Sequence, residues 1–135
     1  MLNETKRTKF VEAAVSYIGT PFVHQGRIPH LGLDCAGLII CAAIEAGYDI
    51  NAPFVYGRRP RPQEMLNQLV KYCDITVDDG SPGLIHWQRP RTSLRPAHYS
   101  IRIDLETVVE SVFGTGVQKN NYQPDLVEST WTLKD

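Results

Sequence analysis

Residues 33–43, with the sequence LDCAGLIICAA, place a cysteine in the first turn of an apolar helix. Asp34 belongs to the residue types that cap helix N-termini, and Cys35 follows it directly. Unpaired backbone N–H groups and the positive end of the helix dipole at this position favour a thiolate over a thiol. The same N–H groups can stabilise the oxyanion that forms when a thiolate attacks a carbonyl group. Cys35 is therefore the candidate nucleophile.

The cysteines also have a purely structural interpretation, because free cysteine is among the most buried residue types. Cys41 lies in the same helix, between isoleucine and alanine, and is explained as small apolar filler. Cys73 stands at a predicted helix end without a visible partner and is expected to be structural. Three cysteines without a CxxC pair indicate neither a disulfide framework nor a cysteine-rich zinc site.

A histidine and a glutamate later in the chain can complete a catalytic set. His98 stands at the start of a strand-like run in which polar and apolar residues alternate. Residues 107–113 form the next such run after a tight turn at 104–106, so Glu110 is expected beside His98 in a hairpin. A carboxylate bonded to one imidazole nitrogen fixes the tautomer and stabilises the imidazolium. Cys35, His98 and Glu110 are the predicted nucleophile, base and orienting residue.

The other histidines provide alternatives. His86 lies in a strand-like run and is expected to be a packed strand residue, but it is the main rival to His98 as the base. His24, His30 and Cys35 could be drawn as a metal site, yet His-x5-His-x4-Cys is not a recognised zinc spacing. We therefore predict no metal, a structural or substrate-pocket role for His24, and a solvated loop position for His30.

Taken in chain order, these motifs resemble the NlpC/p60 family of cell-wall cysteine peptidases. Residues 33–38 are similar to the family's Asp-Cys-Ser-Gly-Leu signature, 19–22 to its Gly-x-Pro-Tyr element, 81–87 to its Pro-Gly-Asp-Leu-Val-x-Phe strand, 97–101 to its His-Val-Gly-Ile strand, and 108–111 to the strand with the third polar residue. The resemblance spans residues 8–120, nearly the whole chain. Its order and spacing are specific, although each segment alone is a weak signal.

The chain also departs from the family pattern. Phe22 stands where the family usually has a tyrosine whose hydroxyl helps to line the active site, and Ala36 replaces the usual serine. Glu110 takes the place of the usual histidine, asparagine or glutamine. Phe22 begins a Phe-x-His-Gln stretch that is similar to the Tyr-x-His-Gln of the phage-tail and gene-transfer-agent branch. The resemblance places Phe22, His24 and Asp34 on the substrate or oxyanion side of the site.

Helices come first in the chain and strands afterwards, which predicts an α+β fold with an antiparallel sheet packed against the nucleophile helix. Helices are predicted at 6–18, 35–46 and 63–72, and strands at 83–87, 96–104, 107–113 and 116–119, with a last strand or tail at 126–133. A papain-like core has this organisation, in agreement with the resemblance. With 135 residues and 42% hydrophobic content, residues 1–135 are expected to form a single domain.

The resemblance implies a cysteine endopeptidase or amidase that hydrolyses peptide bonds of peptidoglycan stem peptides through a thioester. Such an enzyme requires neither a metal nor an organic cofactor. Two alternatives stay open: an inactive structural subunit of a phage tail tip, which Phe22 and Ala36 favour, and a delivered antibacterial amidase effector. Other proteins of a phage tail tip are expected partners if the chain is the enzyme, and equally if it is the structural subunit.

Charge and hydropathy exclude other classes of partner. The net charge of −1 gives no electrostatic case for nucleic-acid binding. Basic stretches at 58–61 and 89–95 are interpreted as solvated loop charges, although the second precedes His98 and could reach a substrate carboxylate. The polar N-terminus has no signal-peptide core, and no segment is long enough to span a bilayer, so we expect no membrane insertion. We therefore expect synthesis in the cytoplasm, and the family resemblance implies action in the cell envelope after packaging in a tail or other delivery.

Overall fold

The computed structural model describes residues 4–51, 61–91 and 97–135. In these ranges the helices are α1 (Glu4–Ser16), α2 (Cys35–Ala46) and α3 (Pro62–Tyr72). The strands are β1 (Arg27–Ile28), β2 (Gly32–Leu33), β3 (Cys73–Thr76), β4 (Ile85–Gln88), β5 (His98–Arg102), β6 (Thr107–Val112), β7 (Gly116–Asn121) and β8 (Val127–Leu133), with a 3-10 turn at Pro124–Leu126. The predicted α+β class is confirmed. No helix in this part of the chain combines the length and the hydropathy needed to cross a bilayer.

The main sheet is antiparallel and has the strand order β3-β8-β4-β5-β6-β7. β8 lies between β3 and β4, so the end of the chain is an interior strand rather than a tail. β1 and β2 form a separate antiparallel ribbon immediately before α2. The predicted hairpin is confirmed, because β5 and β6 are paired neighbours.

Three strands were not predicted, and none of them has a local signal. β3 follows α3 without a connecting loop: Cys73 is the C-cap of the helix and the first residue of the strand, and no glycine or proline marks the change. The β1–β2 ribbon has only two residues in each strand, too few for alternation to be visible. The predicted bounds of α2 match the structure, and the other predicted helices and strands begin and end within two residues of their predicted bounds, which is the usual uncertainty at element ends.

Some of the predictions fall on residues outside the described ranges. Residue 96, the first of the predicted strand 96–104, lies outside them, and β5 (His98–Arg102) falls within the rest of that prediction. Arg58, Arg59 and Arg95 of the two basic stretches also lie outside the described ranges.

The hydrophobic core lies between the helices and one face of the sheet. It is formed by side chains such as Phe10 and Ala14 of α1, Leu38, Ala42 and Ala43 of α2, Ile85 of β4, Tyr99 and Ile101 of β5, Val109 of β6 and Trp131 of β8. The small alanine side chains of α2 let the helix pack closely against α1, β5 and β6. This packing holds α2 against the two strands that carry His98 and Glu110.

The opposite face of the sheet is polar and also buried. It carries His86 and Gln88 of β4, His98, Ser100 and Arg102 of β5, and Glu110 of β6. Successive residues of a strand point to opposite faces, so these side chains alternate with the apolar core residues. Buried polar groups need hydrogen-bond partners, and this face therefore contains a network of titratable side chains.

Candidate active site

The start of α2 is held by the Asp34 carboxylate. Its Oδ1 accepts a hydrogen bond from the Gly37 backbone N–H at 2.8 Å, which caps the helix, and Arg27 Nη1 lies 3.2 Å from the same oxygen. Its Oδ2 accepts from the Gln25 backbone N–H at 2.8 Å. Asp34 is buried. It therefore ties the preceding loop to the helix end that presents Cys35.

Gly37 is required by a close approach of the same loop. A Cβ atom at this position would lie 2.0 Å from the backbone oxygen of Gly26, a distance that no real Cβ contact shows. A second hydrogen bond, from the Leu38 N–H to the Asp34 carbonyl at 3.0 Å, completes the first helical turn. Among the described groups, this leaves the N–H groups of Cys35 and Ala36 to face a developing oxyanion.

His98 connects Cys35 to Glu110. Its Nε2 lies 2.7 Å from Glu110 Oε1, and the ring shares the cleft with Cys35, which is close enough to raise the pKa of His98. Since Glu110 occupies Nε2, Nδ1 is the nitrogen available to the thiol. Burial lowers the pKa of His98, but the hydrogen bonds and charges of Cys35 and Glu110 outweigh it and raise this pKa to about 9. The arrangement therefore favours an imidazolium beside the sulfur.

Glu110 is fully buried and makes contacts that favour its charged form. Burial raises the pKa of this carboxyl, yet the hydrogen bond and charge of His98, the hydrogen bond from Asn120 and the charge of Arg91 lower it to about 2. Arg91 Nε and Asn120 Nδ2 donate to Oε2 at 2.9 and 2.8 Å. Asn120 was not predicted at the site. Arg91 belongs to the basic stretch that we interpreted as solvated loop charges, with contact to a substrate carboxylate as the alternative. The first interpretation is wrong for Arg91, which lines the cleft and bonds the carboxylate of Glu110.

A cleft of about 810 Å³ opens above these side chains. Cys35, His98 and Glu110 line it, together with Phe22, Val23, His24, Asp34, Met65, Arg91 and Phe113, among others. Phe22 packs edge-on against Phe113 with ring centroids 5.5 Å apart, and Phe113 is 84% exposed. One wall of the cleft is therefore apolar and open to a ligand. All six residues predicted for the site contribute to its lining.

Comparison with solved structures shows which fold this is. The NlpC/p60 domain of the peptidoglycan hydrolase SagA matches with a TM-score of 0.70 and 18% identity, over 94% of this chain and 98% of that one. This is the NlpC/p60 fold. An NLP/P60-family protein of Staphylococcus aureus, described as similar to a lipoprotein, has a TM-score of 0.65 and 18% identity over 98% of this chain and 42% of its own.

A third match shows that the NlpC/p60 fold does not by itself imply catalysis. RipD of Mycobacterium tuberculosis, a non-catalytic NlpC/p60 domain protein adapted to peptidoglycan binding, has a TM-score of 0.64 and 15% identity over 96% of this chain and 97% of its own. The sequence matches no protein-family model and no curated protein. The activity must therefore be argued from the side chains of the site.

His86 is not part of the cleft lining. It is fully buried, with Nε2 2.9 Å from Asp78 Oδ2 and Nδ1 3.3 Å from Ser100 Oγ. Burial lowers the pKa of His86, although the charge of Asp78 acts in the opposite direction. Arg102 also bonds Asp78, through Nη2 at 3.2 Å. His86 is thus a packed strand residue, as expected, and both ring nitrogens are engaged away from Cys35.

The remaining thiols and histidines take structural positions. Cys41 donates from Sγ to the Arg27 carbonyl at 3.2 Å, and Cys73 is buried. Burial raises the pKa of both thiols, that of Cys73 to about 12. His30 is exposed, and its ring is nearly perpendicular to that of Tyr17, with ring centroids 6.0 Å apart. In residues 4–51, 61–91 and 97–135, no group of three histidine, cysteine, aspartate or glutamate side chains could hold a metal ion.

Proposed function

We propose that this chain is a cysteine hydrolase that cuts peptide bonds in the stem peptides of peptidoglycan. One observation carries the proposal: Cys35 and His98 lie together at an open cleft, and His98 Nε2 is 2.7 Å from the buried carboxylate of Glu110. A nucleophile bonded to a base that a third group orients is the general arrangement of nucleophilic catalysis. The substrate class is supported by the fold shared with SagA, which is a peptidoglycan hydrolase.

In the first step the sulfur of Cys35 attacks the scissile carbonyl carbon, and its proton resides on Nδ1 of His98. The carbonyl oxygen becomes an oxyanion, which the N–H groups of Cys35 and Ala36 stabilise. When the intermediate collapses, the carbon–nitrogen bond breaks and the leaving amine takes the proton from His98. The products of this step are a free amine and a thioester on Cys35.

In the second step water hydrolyses the thioester. Neutral His98 accepts a proton from the attacking water, the carbon–sulfur bond breaks, and the proton returns to the sulfur. Glu110 accepts from Nε2 throughout, so it fixes the tautomer and stabilises the imidazolium of the acylation step. No step needs a metal ion or an organic cofactor.

The second candidate is a domain that binds peptidoglycan without hydrolysing it, as a structural subunit would. Phe22 favours this candidate, because it lines the cleft without the hydroxyl of the tyrosine usual in the resembled family. In either case we place the protein with phage or phage-like tails, on the resemblance of its Phe-x-His-Gln stretch. Co-purification with tail particles would test this placement, and a protein found only outside such particles would contradict it.

Digestion of purified muropeptides separates the two candidates. We expect the wild-type protein to release cleaved stem peptides, detected by liquid chromatography and mass spectrometry. Cys35→Ala is expected to release none while keeping the thermal stability of the fold, and Cys41→Ala serves as the matched control that retains activity. If the wild-type protein binds muropeptides and yields no more product than Cys35→Ala, the hydrolase proposal is wrong and the binding function stands.

A further inference from the structure

The carboxylate of Glu110 uses its two oxygens differently. Oε1 lies 2.7 Å from His98 Nε2. Oε2 receives the other three contacts, from Arg91 Nε at 2.9 Å, Arg91 Nη2 at 2.8 Å and Asn120 Nδ2 at 2.8 Å. Arginine often spans both oxygens of a carboxylate, but here the guanidinium and the amide converge on one of them. Oε1 is thereby left to His98.

The guanidinium is itself held in place. Arg91 Nη2 donates to the Asn121 carbonyl at 2.8 Å, and Nη1 donates to Gln123 Oε1. These contacts fix the segment after β4 to the far end of β7. Arg91 is a cleft-lining residue with a side chain 27% exposed, whereas Glu110 has no exposed surface. The charge that neutralises Glu110 therefore comes from the cleft side.

We propose that Arg91 and Asn120 are positioning residues: they hold Glu110 ionised and turn Oε1 toward His98. A carboxyl group with no exposed surface is costly to ionise unless donors satisfy it, and a protonated Glu110 would lose its ability to stabilise an imidazolium. The proposal rests on the proposed function for what this arrangement serves. The contacts of Arg91 and Asn120 with Glu110 can be tested whether or not the chain is a hydrolase.

The groups that face Glu110 are few enough to separate by substitution. His98 faces it from β5, Arg91 from the segment after β4 and Asn120 from β7. Cys35 and Glu110 both raise the pKa of His98, and the charge of Glu110 also raises the pKa of His86 of β4. Burial raises the pKa of Glu110, whereas His98, Asn120 and Arg91 lower it. Removing Arg91 or Asn120 is therefore expected to raise this pKa.

A carboxyl NMR titration of Glu110 tests the proposal without any substrate. We expect Arg91→Met to raise the titration midpoint of Glu110 by about one pH unit or more, and Asn120→Ala to raise it as well. Arg91→Lys retains the positive charge and one donor nitrogen. The titration midpoint of Glu110 in this variant should therefore lie between its values in Arg91→Met and in the wild-type protein. Arg89→Met is the matched control: Arg89 bonds the Asp125 carbonyl and does not line the cleft, so the midpoint should not move.

A merely structural role would give a different result. If Arg91→Met and Asn120→Ala lower the thermal midpoint as Arg89→Met does, while the Glu110 midpoint and the His98 ring signals stay at their wild-type positions, the proposal is overturned. Should Arg91→Met fail to fold, Arg91→Lys and Asn120→Ala decide by the same criterion. Absence of muropeptide cleavage by the wild-type protein would contradict the proposed function and would leave these midpoints as evidence on the positioning role.

Discussion

Glu110→Gln is expected to lower the pKa of His98. In the wild-type protein burial opposes the imidazolium, but the contacts with Cys35 and Glu110 raise the pKa of His98 from 6.5 to about 9. The substitution keeps an oxygen that can accept a hydrogen bond from Nε2 and removes the negative charge. Cys35 then remains as the principal group that favours the charged ring.

The size of the effect follows from contact and burial. The difference between 6.5 and about 9 corresponds to about 3 kcal/mol in favour of the imidazolium. A charge of opposite sign in direct contact changes a pKa by about 1 to 3, and Glu110 is fully buried at 2.7 Å from Nε2. We therefore expect the substitution to lower the pKa of His98 by about 1 to 2, to between about 7 and 8.

An NMR titration of the His98 imidazole in nitrogen-15-labelled protein measures this pKa directly. Glu106→Gln is the control, because Glu106 is an exposed residue of the turn between β5 and β6 and its substitution makes the same change in net charge. The control should titrate like the wild-type protein. A Glu110→Gln midpoint that equals or exceeds the wild-type midpoint would refute the reasoning, and His98 would then be oriented by another group or act with Cys35 alone.

The same pair predicts how stability depends on pH. The pKa of His98 is raised on folding, so its contribution is complete below 6.5 and is lost as the pH rises through about 9. The pKa of Glu110 is lowered, so its contribution is complete above 4.5 and is lost as the pH falls through about 2. Both contributions are complete between pH 4.5 and pH 6.5, so the difference in unfolding free energy between the wild-type protein and Glu110→Gln should be largest in that range. Urea unfolding at a series of pH values measures it.

The remaining predictions concern reactivity and stability. Iodoacetamide at mildly acidic pH is expected to label Cys35 first, because burial raises the pKa of the other two thiols; equal labelling of all three by peptide mass spectrometry would contradict this. Gly37→Ala should lower the unfolding free energy by about 3 kcal/mol or more, because the added Cβ meets a backbone oxygen at 2.0 Å. Gly114→Ala, with no atom within 4 Å, should lose only the strain of its positive φ, about 1 to 2 kcal/mol, and equal losses for the two would refute the close contact. The thermal midpoint should fall as the pH decreases from neutral, because burial lowers the pKa of His86 on folding. The charge of Asp78 opposes that lowering, so Asp78→Asn should steepen the fall near the ordinary histidine pKa of 6.5, and an unchanged slope would argue against it.

The sequence alone determined the features that depend on neighbouring residues. A capping aspartate before an apolar run predicts the start of α2, and the cysteine after it must lie in the first turn. Alternation and a tight turn predict the β5–β6 hairpin, which brings the strands of His98 and Glu110 together. These are short-range consequences of backbone geometry. They were sufficient for the fold class and for the candidate set Cys35, His98 and Glu110, whereas Phe22, His24 and Asp34 were expected at the site from the family resemblance.

Tertiary structure decided the features that depend on residues distant in the chain. The folded structure decides which histidine lies at the site with Cys35. Asp78 and Ser100 contact both ring nitrogens of His86, and His98 is the histidine that lines the cleft with Cys35. The partners of Glu110 lie after β4 and in β7, and no spacing in the sequence indicates that they converge on one oxygen. β3 was missed for the same reason, since its strand conformation comes from pairing with β8 at the end of the chain. Local preferences are weak where pairing and burial supply the free energy, so only the folded chain specifies these contacts.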